Sequence, residues 1–347
     1  MNSDNSASFL DIDIDPKTLT IITTYTCNAA CEECCFECNP SVKHRLSLRE
    51  MLQVIEDSIA AYPSIEQIVF TGGECFLLKD DLFKAIEVST RFGKSTRCVS
   101  NGFWGKSPEK ADEVAKKAMA AGLSEINFST GLDHQKWVPL ESVINASKSL
   151  VKYGIPVLVT IEKDSEDSDC LNQIIENVDI KKMLKNHPNF LLQTNSWMPF
   201  FENSVQRGSV NQDDLRKGCS QVFSNCTVTP KKEVASCCGL VLEHISEMRV
   251  GTIDNMLCYR NEQKDDFLKL WLRVDGPMRI LETVLGDGHH KLAGVVHMCQ
   301  ACAILHNDEE ARNRISSLYR DHILAVTHRW KIIKAAEKEI RRLRDEP

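Results

Sequence analysis

The 347-residue sequence has no apolar run long enough to cross a bilayer, which excludes a helical membrane anchor. It has no basic excess: 42 Lys and Arg face 49 Asp and Glu, a net charge of −7, so nothing electrostatic points to nucleic acid as a partner. The N-terminus, MNSDNSASFLDIDID, lacks the basic and apolar regions of a secretory signal and predicts a cytoplasmic protein. No internal repeat or low-complexity segment interrupts the chain. With 42% hydrophobic residues it has material for one large domain or two moderate ones.

What it does have is cysteine, fifteen in all. In a reducing compartment disulfides are rare, so clustered cysteines point to metal or redox chemistry. Cys98, Cys170 and Cys258 stand alone and read as small buried hydrophobes. Five others crowd the stretch TYTCNAACEECCFECNP, in two overlapping C-x3-C-x2-C registers: Cys27, Cys31, Cys34, or Cys31, Cys35, Cys38. Three thiolates on one loop can hold three irons of a [4Fe–4S] cluster and leave the fourth open. Zinc is the competing reading.

From residue 18 short β-branched runs alternate with helical ones. LTIITTY, EQIVF, TRCVS, EINFS, PVLVTIE and NFLLQTN read as six strands. The helices between them include one capped by Ser47 with Glu50 three residues on. This order predicts an α/β fold, a partial (β/α)6 TIM-type barrel, with functional residues at the C-terminal ends of the strands. The cysteine cluster, TGGE, SNGFW and STGLDH all begin at such ends. Four segments are expected. They are a tail over 1–17, the barrel over 18–198, a small cysteine-rich domain over 199–306, and a C-terminal amphipathic helix over 307–347. Residues 219–302 read as irregular. The final helix carries an apolar stripe from Ile315 to Ile340 that reads as packing onto the body of the protein.

CNAACEEC after the first strand and TGGE after the second resemble the radical S-adenosylmethionine (radical SAM) superfamily, over roughly residues 18–198. The resemblance implies a [4Fe–4S] cluster on Cys27, Cys31 and Cys34, whose open iron chelates S-adenosyl-L-methionine. Thr71, Gly72, Gly73 and Glu74 would bind the amino group of SAM, with Glu74 offering a carboxylate to the ammonium. One electron would cleave the sulfonium to a 5′-deoxyadenosyl radical that abstracts hydrogen from substrate. Ser100, Asn101 and Ser129 fall where the family places further SAM contacts, although turn chemistry explains them equally well. The family usually has an aromatic residue just before the third cysteine. Here Glu33 stands there, and Phe36 lies two residues past Cys34. Asp133 and His134 are the first candidates for touching substrate, with Glu162 beside them.

Further on, the order of GCSQVFSNCTVTPKKEVASCCG and MCQAC resembles the SPASM/twitch auxiliary-cluster domains of such enzymes. It implies a second [4Fe–4S] cluster on Cys219, Cys237, Cys299 and Cys302, with a hairpin turning at Lys231 and Lys232. Zinc on the same four thiols remains the alternative. Cys35, Cys38, Cys75, Cys226 and Cys238 receive no role. The resemblance favours a peptide substrate, matured by crosslinking, epimerisation or oxidation. It also calls for a flavodoxin- or ferredoxin-type electron donor. Because only about twenty residues precede the first strand, a separate leader-peptide-binding protein is expected. The alternatives are a small molecule such as an aminocyclitol, sugar or nucleotide, in a pocket near His289, His290 and His297, and a non-catalytic iron–sulfur or zinc scaffold.

Overall fold

The computed structural model describes residues 10–163, 169–196, 198 and 212–345. β-Branched runs form β1 (Thr18–Ile22), β2 (Gln67–Thr71), β3 (Ser95–Ser100), β4 (Glu125–Thr130), β5 (Val157–Lys163) and β6 (Phe190–Ser196). Each pairs in parallel with the next. Between them lie α1 (Leu48–Ala61), α2 (Asp80–Arg91), α3 (Pro108–Ala121), the single turn α4 (Leu132–Gln135), α5 (Leu140–Lys152), α6 (Cys170–Glu176) and α7 (Val178–Asn186). α1 begins with the capping box expected from Ser47 and Glu50. α3 starts on Pro108 and stops on Gly122 in a left-handed conformation. These helices cover a core that contains Leu19, Ile21, Ile68, Phe70, Ile126 and Phe128, all at most 1% exposed. The mostly parallel sheet agrees with the partial barrel.

The sheet does not stop at residue 198. After α8 (Gln212–Leu215) come β7 (Asn225–Val228), β8 (Glu233–Ala235) and β9 (Arg249–Thr252). β7 lies parallel to β1, giving nine strands in the order β6-β5-β4-β3-β2-β1-β7-β8-β9. The hairpin β7–β8 turns at Lys232, whose φ of 66° is the left-handed conformation that glycine usually supplies. The start of the cysteine-rich segment expected over 199–306, residues 199–211, lies outside the described residues.

The region read as irregular contains helices as well as these strands: α9 (Cys258–Asn261), α10 (Phe267–Val274), α11 (Pro277–Leu285) and α12 (Met298–Asn307). Asp266 caps α10 by accepting from Lys269 N–H at 3.0 Å, and Pro277 opens α11. Phe267, Leu270 and Trp271, then Ile280, Leu281 and Val284, give each helix one buried face. The last helix, α13 (Glu309–Asp345), buries Val326 and Trp330 against the body. Ile340, expected in that stripe, is instead 51% exposed, since the apolar contact runs out before the final turns. No helix among the described residues is long and apolar enough to cross a membrane.

Candidate functional site

The cysteine loop leaves the C-terminal end of β1 and is closed on itself. Cys27 N–H donates to Asn39 O at 3.3 Å, and Thr26 bridges Asn39. Cys27, Cys31 and Cys34 all line one cavity of about 230 Å³ at the mouth of the barrel, together with Cys35 and Phe36. Cys38 instead lies beneath Cys34, donating its backbone N–H to the Cys34 sulfur at 3.3 Å. Burial pushes the Cys27 thiol up to about 12 and raises Cys31 as well. Cys34 is the opposite case, lowered to about 6 chiefly by a hydrogen bond from the Cys38 thiol. Thiols raised like those of Cys27 and Cys31 ionise readily only when bound cations compensate the charge, and Cys34 ionises already, so the donor set suits iron. Among the described residues no three His, Cys, Asp or Glu side chains converge on a single ion, and the corners of a four-iron cube are wider apart.

The TGGE loop is fitted to this cysteine loop by contact with its backbone. Gly73 N–H donates to Thr24 O at 2.7 Å and Glu74 N–H to Thr26 O at 3.1 Å. A Cβ on Gly73 would meet Thr26 O at 2.3 Å, and one on Gly72 would meet Thr24 O at 2.4 Å. The glycines therefore admit the chain's own backbone. Thr71, Gly72 and Gly73 line the cavity.

Glu74 departs from expectation. Its side chain is fully buried and accepts from Phe76 N–H at 3.0 Å, Asn101 N–H at 2.8 Å and Ser100 Oγ at 3.0 Å. In this arrangement the carboxylate is occupied in bracing the ends of β2 and β3 rather than offered to an ammonium. Burial raises it to about 7 against the three donors. Ser100, Asn101 and Ser129 do line the cavity, and Asn101 Nδ2 reaches Asn28 Oδ1 at 2.9 Å and the Cys27 sulfur at 3.7 Å.

Asp133 and His134 part company. His134 lines the cavity, with Nδ1 2.6 Å from Glu162 Oε2. Glu162 Oε1 accepts from Asp133 N–H at 2.5 Å. The Asp133 carboxylate, 3% exposed, turns toward the cysteine loop, where it accepts from Glu32 N–H at 2.8 Å, with Lys136 Nζ 3.1 Å away. Asp133 thus ties α4 to the loop between Cys31 and Cys34 and does not face the cavity. Glu33, which stands where the family usually has an aromatic residue, and Phe36 both line it.

The second cysteine set is also brought together. Gly239 lies beside two thiols: a Cβ built on it would stand 3.4 Å from the Cys299 sulfur and 3.5 Å from that of Cys237. Cys302 is pushed up by burial and by Cys237, Cys299 and Cys219. Burial raises Cys299 to about 12, with Cys219 and Cys238 adding to it. Cys35, on the first cysteine loop, is raised by its burial and then by Cys34, Cys299 and Cys238. The two sets therefore adjoin. His289, His290 and His297 do not line the cavity, and His297 caps α12 by accepting from Cys299 N–H at 3.0 Å.

The lining residues that the sequence reading did not single out include Thr160, Asn195, Met198 and Leu240. Asn195 lies near the C-terminal end of β6, where barrel folds place functional groups, so that rule would have found it, whereas Thr160 sits in the middle of β5. Leu240 arrives from beyond β8, and no local pattern announces it.

Residues 21–162 match the family model described as Radical SAM superfamily. YydG of Bacillus subtilis (strain 168), a protein named for peptide biosynthesis, is 28% identical over 165 residues, which are 47% of this chain. That match covers 51% of YydG, about half its length. Among solved structures, native anSMEcpe with bound AdoMet superposes with a TM-score of 0.55 at 13% identity, over 90% of this chain and 99% of that one. The same protein with AdoMet and the Cp18Cys peptide gives 0.53 at 12%, over 90% and 99%. At such identities the likeness is one of fold.

Proposed function

We propose, from the premise that residues 21–162 form a radical SAM domain, that this chain is an enzyme that reductively cleaves S-adenosylmethionine and takes hydrogen from a peptide. The observation that carries the reading is the convergence of Cys27, Cys31 and Cys34 with Gly72, Gly73, Ser100, Asn101 and Ser129 on one cavity. The three cysteines would hold a [4Fe–4S] cluster, and the glycine loop and strand ends would line the SAM site. When bound, this pair supplies one-electron cleavage of the sulfonium to methionine and a 5′-deoxyadenosyl radical. The chain's own residues hold and shield. Glu74 fixes the loop, Asp133 fixes the cysteine loop, and Phe36, Met198 and Leu240 give the cavity apolar walls that limit water. His134, oriented by Glu162, is the polar group we assign to the substrate.

The peptide class is supported by the likeness to a relative named for peptide biosynthesis. Cys219, Cys237, Cys299 and Cys302 would hold a second [4Fe–4S] cluster, with a role in accepting an electron from the substrate or positioning it. The test is iron and sulfide per chain after anaerobic reconstitution, alongside 5′-deoxyadenosine formed with SAM and dithionite. About eight irons, falling to about four in the Cys299→Ala/Cys302→Ala chain, are expected, with 5′-deoxyadenosine lost in Cys31→Ala. Four irons unchanged by the double substitution would remove the second cluster. Absence of 5′-deoxyadenosine from the fully loaded chain would leave a scaffold. Candidate precursor peptides are then screened for a mass change.

A further inference from the structure

The two loops that line the cavity also build a second pocket on their far side. Residues 71–73 and 99–101 face the cavity. A few residues on, Phe76, Phe83, Phe103 and Trp104 line a separate surface pocket of about 310 Å³ between α2 and α3. Phe76 lies 5.1 Å from Trp104 and 6.1 Å from Phe83, ring centre to ring centre, so the floor is a run of packed aromatic rings, with Phe76 and Trp104 largely buried beneath it. Its rim holds four lysines, an exception on a chain of net charge −7. Lys110 pairs with Glu113 at 2.8 Å and Lys117 with Asp80 at 3.2 Å. Lys79 and Lys106 are exposed and have no ion pair among the described residues.

The floor connects to the cysteine loop through short contacts. Trp104 Nε1 donates to Ser100 Oγ at 3.3 Å, and Ser100 Oγ donates to Glu74 at 3.0 Å. Glu74 accepts from Asn101 N–H at 2.8 Å, and the Asn101 amide stands 3.7 Å from the Cys27 sulfur. An apolar, aromatic floor whose rim carries Lys79 and Lys106 beyond the two paired lysines suits an acidic protein that presents an apolar edge. The reaction proposed above needs a one-electron reductant from outside the chain.

We propose that this pocket is the docking site of an acidic one-electron carrier protein, which passes its electron to the cluster behind Cys27. The inference rests on Cys27 holding that cluster. In the step the reduced carrier loses one electron and the oxidised cluster gains it, with no proton transferred by necessity. Substrate would then use the cavity while the electron enters from the other side of the same two loops.

The test is stopped-flow bleaching of the reconstituted full-length protein by photoreduced flavodoxin, with dithionite as a small reductant that needs no docking. Lys79→Glu/Lys106→Glu is compared with wild type and with Lys185→Glu, an exposed lysine on α7. At low ionic strength the double variant is expected to be reduced by flavodoxin about tenfold more slowly, with a flatter salt dependence. Lys185→Glu should behave as wild type, and all three should bleach alike with dithionite. Equal flavodoxin rates in all three proteins, or equal slowing by Lys185→Glu, would overturn the docking site while leaving the cluster in place. Failure of dithionite to bleach wild type would overturn the cluster assignment itself, and the docking site with it.

Discussion

The buried carboxylate of Glu74 makes a prediction that separates its charge from its shape. It accepts three hydrogen bonds, yet burial outweighs them and raises it from 4.5 to about 7. A carboxyl raised in the folded state favours its protonated form there. Its effect on stability is therefore most favourable below 4.5 and is lost progressively as pH rises to about 7. At about 1.4 kcal/mol per pH unit, that interval amounts to about 3 kcal/mol, an order-of-magnitude figure. Glu74→Gln keeps the shape and one acceptor oxygen but cannot ionise. It should cost about 1–3 kcal/mol at pH 5, where the lost acceptor dominates. By pH 8 that cost should shrink to about zero or reverse. The assay is urea unfolding of the apo protein at pH 5, 6, 7 and 8, wild type against variant. Parallel stability curves would refute the reasoning, because they would mean that Glu74 is solvated or paired with a cation.

Three further outcomes follow from the same geometry. Gly73→Ala should lower stability by about 1–3 kcal/mol and reduce iron uptake, since its methyl group would meet Thr26 O at 2.3 Å; melting and iron assay check both. In the apo protein at pH 7, Cys34 should be alkylated by iodoacetamide well before Cys27, and Cys38→Ala should remove that advantage, as peptide mass spectrometry would read. Glu162→Ala should destabilise by about 2–4 kcal/mol, because it leaves Asp133 N–H and His134 Nδ1 without their buried acceptor; an unchanged melting temperature would contradict that bonding.

Much of the barrel was legible because its signals are local. Ser47 and Glu50 cap α1 side by side in sequence, and β-branched runs such as TLTII and EQIVF need no distant partner to be read as strands. The directions of the site's carboxylates were not legible. Glu74 and Asp133 sit in motifs that invite a ligand, yet each is claimed by backbone N–H groups, for Asp133 by one 101 residues away. α10 and α11 were not legible because each is short, eight and nine residues, too little for a helical period to stand out. Only burial against α13 makes their 3–4 spacing decisive.

The pairing of β7 with β1 has a consequence for any attempt to divide the chain. Thr18–Ile21 is hydrogen-bonded on both flanks, by β2 on one side and by β7 on the other. A fragment ending at residue 198 would turn this apolar strand into an open edge, with a row of unpaired amides directly beneath the cysteine loop. Such an edge recruits other chains. The fragment should therefore aggregate rather than fold as a free-standing barrel, and β1 and β7 should gain protection from hydrogen exchange together.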